Sequence, residues 1–112
     1  MERDKNIVIL GTGGTIAGVA EQAGASVGYR AAQLSVAQLL QAVPDLERVA
    51  AASLQAEQLA QLDSKDMDHA TWHALALRCA ELLARDDVSG IVITHGTDTL
   101  EETAWFLQCV LR

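Results

Sequence analysis

Two short apolar runs, each emptying into glycine and threonine, constrain this chain more than any other feature. "NIVIL" (Asn6 to Leu10) and "VSGIVIT" (Val88 to Thr94) are rich in β-branched residues and continuously apolar rather than alternating. Continuous apolarity is the pattern of strands covered on both faces, as in a parallel sheet flanked by helices. The two runs are therefore expected to be neighbouring parallel strands of an α/β domain. The first passes into "GTGGTIAG" (Gly11 to Gly18) and the second into "HGTDTLEET" (His95 to Thr103). Adjacent strands would bring the hydroxyls of Thr15 and Thr97 and the carboxylate of Asp98 to one end of the sheet, where open α/β sheets bind their ligands.

Helices are announced by caps and spacing. Ser35 with Gln38 forms a capping box ahead of Val36, Leu39, Leu40 and Val43, and Pro44 ends that run. Asp68 caps a second helix ending near Arg85, with Trp72, Leu75, Ala76, Cys79, Leu82 and Leu83 on one face. Thr99 with Glu102 makes another capping box, opening a helix striped by Leu100, Thr103, Ala104, Leu107 and Leu111 that still runs at Arg112. "VAEQAGASVGYRAAQ" (Val19 to Gln33) has no sustained period and reads as a lid. "ERVAAASLQAEQLAQLDSKDM" (Glu47 to Met67) mixes helix-forming composition with turn chemistry at Asp63 and Ser64, and propensity does not decide its state.

Composition removes several classes of function. The 112 residues make one domain, residues 1–112, and 15 acidic against 8 basic residues give a net charge of −7. Such a surface repels nucleic acid and anionic membranes. Cys79 and Cys109 lack metal-ligand spacing and read as small buried hydrophobes in a reducing compartment. The opening "MERDKNIVIL" has too short an apolar run for a signal peptide, so a cytoplasmic location is expected. His69 and His73 stand at i, i+4 without a third ligand and read as helix-surface residues; no metal is expected. Trp72 and Trp105 read as core, and His95 as a residue orienting its loop.

The glycine loop fails two familiar phosphate tests. Counting from Gly11, the third glycine of a dinucleotide fingerprint is Ile16, and the Walker lysine is missing because Thr15 directly follows Gly14. What remains is a hydroxyl among crowded backbone amides, a setting for a nucleophile and an oxyanion. A noncatalytic module that binds an amino acid or a partner through its open sheet edge is the alternative, and a nucleotide-binding module is a third reading.

"TGGTIAG" and "HGTDTLEETAWFL", with "AVPDL" and "SKDM" between them, resemble the N-terminal part of the bacterial-type L-asparaginases, the asparaginase/glutaminase family. The resemblance spans essentially the whole chain but only the first part of a family member. It implies a flavodoxin-like or Rossmann-like parallel sheet, here an incomplete N-terminal domain. It further implies hydrolysis of the side-chain amide of L-asparagine to L-aspartate and ammonia, without metal or organic cofactor. L-glutamine is a second small-molecule substrate to consider, and the full-length enzyme is expected to be a homo-oligomer.

By the same resemblance Thr15 is the nucleophile and Tyr29 hydrogen-bonds it. Thr97 joins acyl transfer through its hydroxyl and amide, Asp98 contacts the substrate's α-amino group, and Ser64 binds its α-carboxylate. Lys65 stands where many relatives have Gln or Glu, and its cation would repel an α-ammonium if it faced inward. The family's lysine from a later strand, its C-terminal domain and the residues from a neighbouring subunit have no counterpart in these 112 residues, so the chain alone is expected to be inactive.

Overall fold

The computed structural model describes residues 5–14 and 35–111, together with the backbone of residues 19–20 and 29–30. Strand β1 (Asn6–Gly13) is followed by a two-residue antiparallel pair, β2 (Val19–Ala20) and β3 (Tyr29–Arg30). Then come helices α1 (Val36–Gln41) and α2 (Leu46–Ala50), strand β4 (Ser53–Leu62), helix α3 (His69–Leu83), strand β5 (Val88–Thr94) and helix α4 (Leu100–Val110). The remainder of the segment expected to form a lid lies outside the described residues.

The main sheet has the order β4-β1-β5 and both pairings are parallel. The two apolar runs are thus neighbours, as their composition requires, with Ile7 to Gly11 of β1 in register with Gly90 to Thr94 of β5. Strand β1 lies in the centre, and its residues from Val8 to Gly13 are all buried. Val8 and Leu10 form the core with Leu75, Cys79 and Leu82 of α3, while Ile91, Ile93, Leu107 and Leu111 pack around them. On the other face, where the Gly11 hydrogen stands in place of a side chain, Val36 of α1 closes over β1. A helix on each face and a second-first-third strand order make an α/β sheet of flavodoxin-like type, covered by α1 on one side and α3 on the other.

The caps at Ser35 and Asp68 form as read. Ser35 and Gln38 complete a reciprocal capping box, and the Asp68 carboxylate accepts from the Thr71 amide at 2.8 Å. Helix α3 stops at Leu83, two residues short of Arg85, whose guanidinium pairs with Asp87 instead of lying in the last turn. Helix α4 also ends within the chain, at Val110, with Leu111 already extended.

The undecided stretch becomes a short helix and then the third strand. Its glutamines, alanines and glutamate are poor strand formers, but β1 offers an unpaired edge, and β4 pairs with it from Ser53 onward. Two of its own side chains, Glu57 and Gln58, then fasten the strand to the helices. Arg78 of α3 grips the Glu57 carboxylate in a fork, at 2.6 and 2.7 Å, and the Gln58 amide oxygen accepts from the Val36 N–H at 2.7 Å.

Several burial expectations are overturned. Cys109 is exposed although Cys79 is buried. Trp105 is 71% exposed, because α4 turns only Thr103 fully inward and leaves its outer face uncovered. Strand β5 is covered incompletely, with Val92 51% exposed. Burial raises the pKa of the Cys79 thiol, which keeps it neutral and suits it to the core.

Candidate active site

Three loops converge at the carboxyl ends of the three parallel strands. After β1 the chain reaches Gly14, whose N–H donates to the Leu62 carbonyl at the end of β4 at 2.8 Å. After β4, Asp63 caps a 3₁₀ turn, Ser64–Asp66, by accepting from the Lys65 N–H at 3.2 Å. After β5 comes the loop His95 to Thr99, which leads directly into α4.

Glycine permits the convergence. Gly14 has φ +88°, and a Cβ there would collide with the backbone nitrogen and Cα of Gly96. At Gly96 a Cβ would fall 2.5 Å from the Ser64 hydroxyl oxygen. The three loops therefore touch backbone to backbone and backbone to hydroxyl, at distances any side chain would prevent. Beneath them Thr12, fully buried, donates its hydroxyl to the Thr94 carbonyl at 2.5 Å and ties the two strand ends together.

Ser64 is the hinge of the arrangement. Its side chain is buried, its Oγ accepts the Asp98 N–H at 3.1 Å, and its carbonyl accepts the Thr99 hydroxyl at 2.9 Å. The Asp98 amide takes a lone pair of the serine oxygen and leaves its proton available to donate. Thr97 and Asp98 are exposed, so their hydroxyl and carboxylate are presented at the sheet end, just before the first turn of α4. Free amides at that helix start favour negative charge nearby.

The chain that carries this glycine-lined constellation is matched by known proteins. A sequence profile described as Asparaginase, N-terminal covers residues 6–112. The chain belongs to this family. It is 49% identical over 105 residues to a glutaminase-asparaginase of Pseudomonas fluorescens biotype A, a match covering 94% of this chain and 28% of that protein. It is 46% identical over 107 residues to L-asparaginase 2 of Bacillus subtilis, covering 96% of this chain and 28% of that one. The crystal structure of a probable cytoplasmic L-asparaginase from Campylobacter jejuni superposes with a TM-score of 0.83 at 46% identity, over 92% of this chain and 31% of that one. The asparaginase-family chain thus spans less than a third of the proteins it matches.

The structure brings Ser64, which the family resemblance singled out, against the Thr97–Asp98 loop through the Asp98 N–H. Thr15 and the side chain of Tyr29 lie outside the described residues; Tyr29 contributes its backbone to β3. Lys65, next to the buried serine, is exposed, and its backbone rather than its ammonium serves the turn.

One reading is corrected outright. Thr99 does not build a capping box with Glu102: its side chain makes no cap hydrogen bond and is turned instead to the Ser64 carbonyl, to which its hydroxyl donates. Glu101 and Glu102 still complement the helix dipole from the first turn. His69 and His73 are exposed, and among the described residues no cluster of three His, Cys, Asp or Glu side chains could hold a metal ion. His69 instead stacks on Trp72, which stacks in turn on Phe106 at 5.1 Å between ring centres.

Sequence reasoning passed over Thr12 and Thr103. Thr12 read as one hydroxyl of the glycine loop and Thr103 as part of a helix stripe, yet both are buried and hydrogen-bonded beneath the site, Thr12 within a strand that runs on to Gly13. A buried threonine close to a glycine loop is the signal that would have found Thr12, since a buried hydroxyl must be given a partner.

Proposed function

We propose that this chain is the N-terminal part, and residues 1–112 one partial domain, of an amidohydrolase that converts L-asparagine to L-aspartate and ammonia. Support comes from family membership joined to one geometric observation, the meeting of the Gly14, Ser64 and Gly96 loops at one end of the sheet. In this reading the hydroxyl of Thr15, the residue after Gly14, attacks the side-chain amide carbon. Ammonia leaves, and water then hydrolyses the threonyl ester to release aspartate. Tyr29 hydrogen-bonds the attacking hydroxyl, and Thr97 serves acyl transfer through its hydroxyl and amide.

The substrate carries a carboxylate and an ammonium, and the site supplies a partner for each. Ser64 donates the proton left free by the Asp98 amide, and the Asp98 carboxylate accepts from the α-ammonium. Lys65, being exposed, keeps its charge in water, where its repulsion is small. Relatives named glutaminase-asparaginase suggest that L-glutamine is also a substrate, since one methylene is worth only about 1–3 kcal/mol of discrimination. No cofactor is invoked. We further assign the full-length enzyme to a homo-oligomer, and to the cytoplasm in keeping with the neighbour described as a probable cytoplasmic L-asparaginase.

The chain alone is expected to release negligible ammonia from asparagine, because a nucleophile misplaced by about 1 Å loses on the order of a hundredfold. Mixed with the complementary remainder of a related asparaginase, it should recover activity. Thr15→Ala in that mixture should lose several powers of ten in kcat. Activity of the Thr15→Ala mixture within tenfold of the parent would overturn the assignment of the nucleophile. Asparagine binding without any ammonia release by the complemented chain would favour a noncatalytic amino-acid-binding module.

A further inference from the structure

Beneath the Thr97–Asp98 loop runs a chain of hydrogen bonds that the proposed reaction does not use. The Trp72 indole nitrogen of α3 lies 2.8 Å from the Thr103 hydroxyl of α4. The same hydroxyl lies 2.8 Å from Nε2 of His95, and Nδ1 of His95 lies 2.6 Å from the Gly96 carbonyl. Thr103 is buried at 3% exposure, and His95 is half-buried.

With the imidazole neutral, the direction of every bond is fixed by the two ends of the chain. An indole N–H can only donate, so the Thr103 oxygen accepts from Trp72. A carbonyl can only accept, so Nδ1 of His95 must carry a proton. In the neutral ring Nε2 is then bare, and the Thr103 hydroxyl donates its own proton there. Each hydrogen in the chain is used once. With the indole and carbonyl ends reading the same way, the imidazole is held in one tautomer and one orientation.

The consequence falls on the site. The Gly96 carbonyl and the Thr97 N–H belong to one planar peptide, so holding the oxygen toward the imidazole turns the Thr97 N–H away from it. The other side of the loop is held by Ser64 through the Asp98 amide and the Thr99 hydroxyl. The loop is pinned before and after Thr97, and among the described residues none takes the Thr97 hydroxyl or amide.

We propose that His95 is a positioning residue, its ring when neutral fixed as the Nδ1–H tautomer between the Gly96 carbonyl and the Trp72–Thr103 pair, and that it sets the orientation of the Gly96–Thr97 peptide. Its value for catalysis rests on the asparaginase reading above; the tautomer and the loop geometry do not. This makes His95 unsuited to the role of general base, because both of its ring nitrogens are already engaged within the protein.

The test is ¹⁵N NMR on the 112-residue chain. It has three histidines and two tryptophans, and His69, His73 and Trp105 are exposed, so His95 and Trp72 can be told apart. The unmodified chain is expected to show His95 with a protonated Nδ1 and a bare Nε2 when the ring is neutral, and a Trp72 indole N–H that exchanges more slowly than that of Trp105. Thr103→Val keeps the side-chain shape and removes the hydroxyl. It should abolish the fixed tautomer, move the Gly96 and Thr97 amide resonances, and speed exchange of the Asp98 N–H by about tenfold. Thr103→Ser should restore all three.

A neutral His95 protonated on Nε2 in the unmodified chain would overturn the proposal without recourse to any variant. So would Thr103→Val leaving the ring and the loop amides unchanged while the amides of Val8 to Leu10 stay protected. Failure of ammonia release in the complementation assay would count against the amidase reading and leave these signals untouched.

Discussion

Strands β1 and β5 have the same kind of sequence and end in the same kind of loop, yet they meet different environments. Every β1 residue from Val8 to Gly13 is buried, whereas β5 exposes Ser89 and half of Val92. The difference is one of position. Among the described residues, the β4-β1-β5 order leaves β1 hydrogen-bonded on both edges and β5 on one, so equal apolarity gives full burial in the centre and partial burial at the edge. Apolar composition states what a strand can bury; sheet order decides what it does bury.

The sharpest contrast should come from paired substitutions. Leu10→Ala removes a side chain with 0% exposure from between the sheet and α3, and should cost about 2–5 kcal/mol in urea unfolding. A loss below about 1 kcal/mol would mean that the centre of the sheet is packed no better than its edge. Next in size is Gly14→Ala, where φ of +88° and the Gly96 backbone both oppose a methyl group; about 2 kcal/mol is expected, together with loss of the Asp98–Ser64 hydrogen bond. Tolerance of alanine at Gly14 would show that the two strand ends do not meet as described.

The two edges can also be set against each other, since β4 is fastened by an ion pair and β5 is open. The hydrogen bonds from Arg78 hold the Glu57 carboxyl below its ordinary pKa. A lowered folded value means that the stabilisation is complete above the unfolded pKa of about 4.3 and is lost as pH falls through the folded one. Asp87, beside Arg85, and Asp68, bonded by Thr71, are lowered in the same direction. Glu57→Gln should therefore have a lower Tm than the parent near pH 7, and the gap should narrow toward about pH 3. A gap independent of pH would place the effect in packing instead of charge. The smallest effect belongs to the open edge: Val92→Thr, at a half-exposed position, should change stability by less than about 0.5 kcal/mol in the same unfolding measurement.

Much of this was legible beforehand, and the exceptions share a cause. The Ser35 box and the Asp68 cap close within a few residues, so the chain alone specifies them, while the continuous apolarity of Asn6–Leu10 and Val88–Thr94 marks two doubly covered strands that pair in parallel. The placing of Thr97 and Asp98 at the end of an apolar strand followed from their motif, whereas Ser64 was brought in only by the family resemblance. What was missed depends on partners distant in sequence. Strand β4 exists because β1 has a second edge to fill and because Arg78 and Val36 reach its side chains, and nothing within "SLQAEQLAQL" announces those neighbours.

Thr99 and Trp105 show the same division at single residues. The local pattern made Thr99 a cap, but the Ser64 carbonyl lies within reach and captures its hydroxyl. The helical stripe made Trp105 a core residue, but α4 meets the rest of the fold along a narrower face than its apolar content would fill. By itself the sequence determined the elements that close over short distances, the parallel pairing of two apolar strands and the hydroxyl-rich loops at their ends. Tertiary structure alone decided which strand is central, which hydroxyl goes to which carbonyl, and how far each apolar face is covered. Those outcomes turn on competition among groups far apart in the chain, and the winner is set by where the backbone places them.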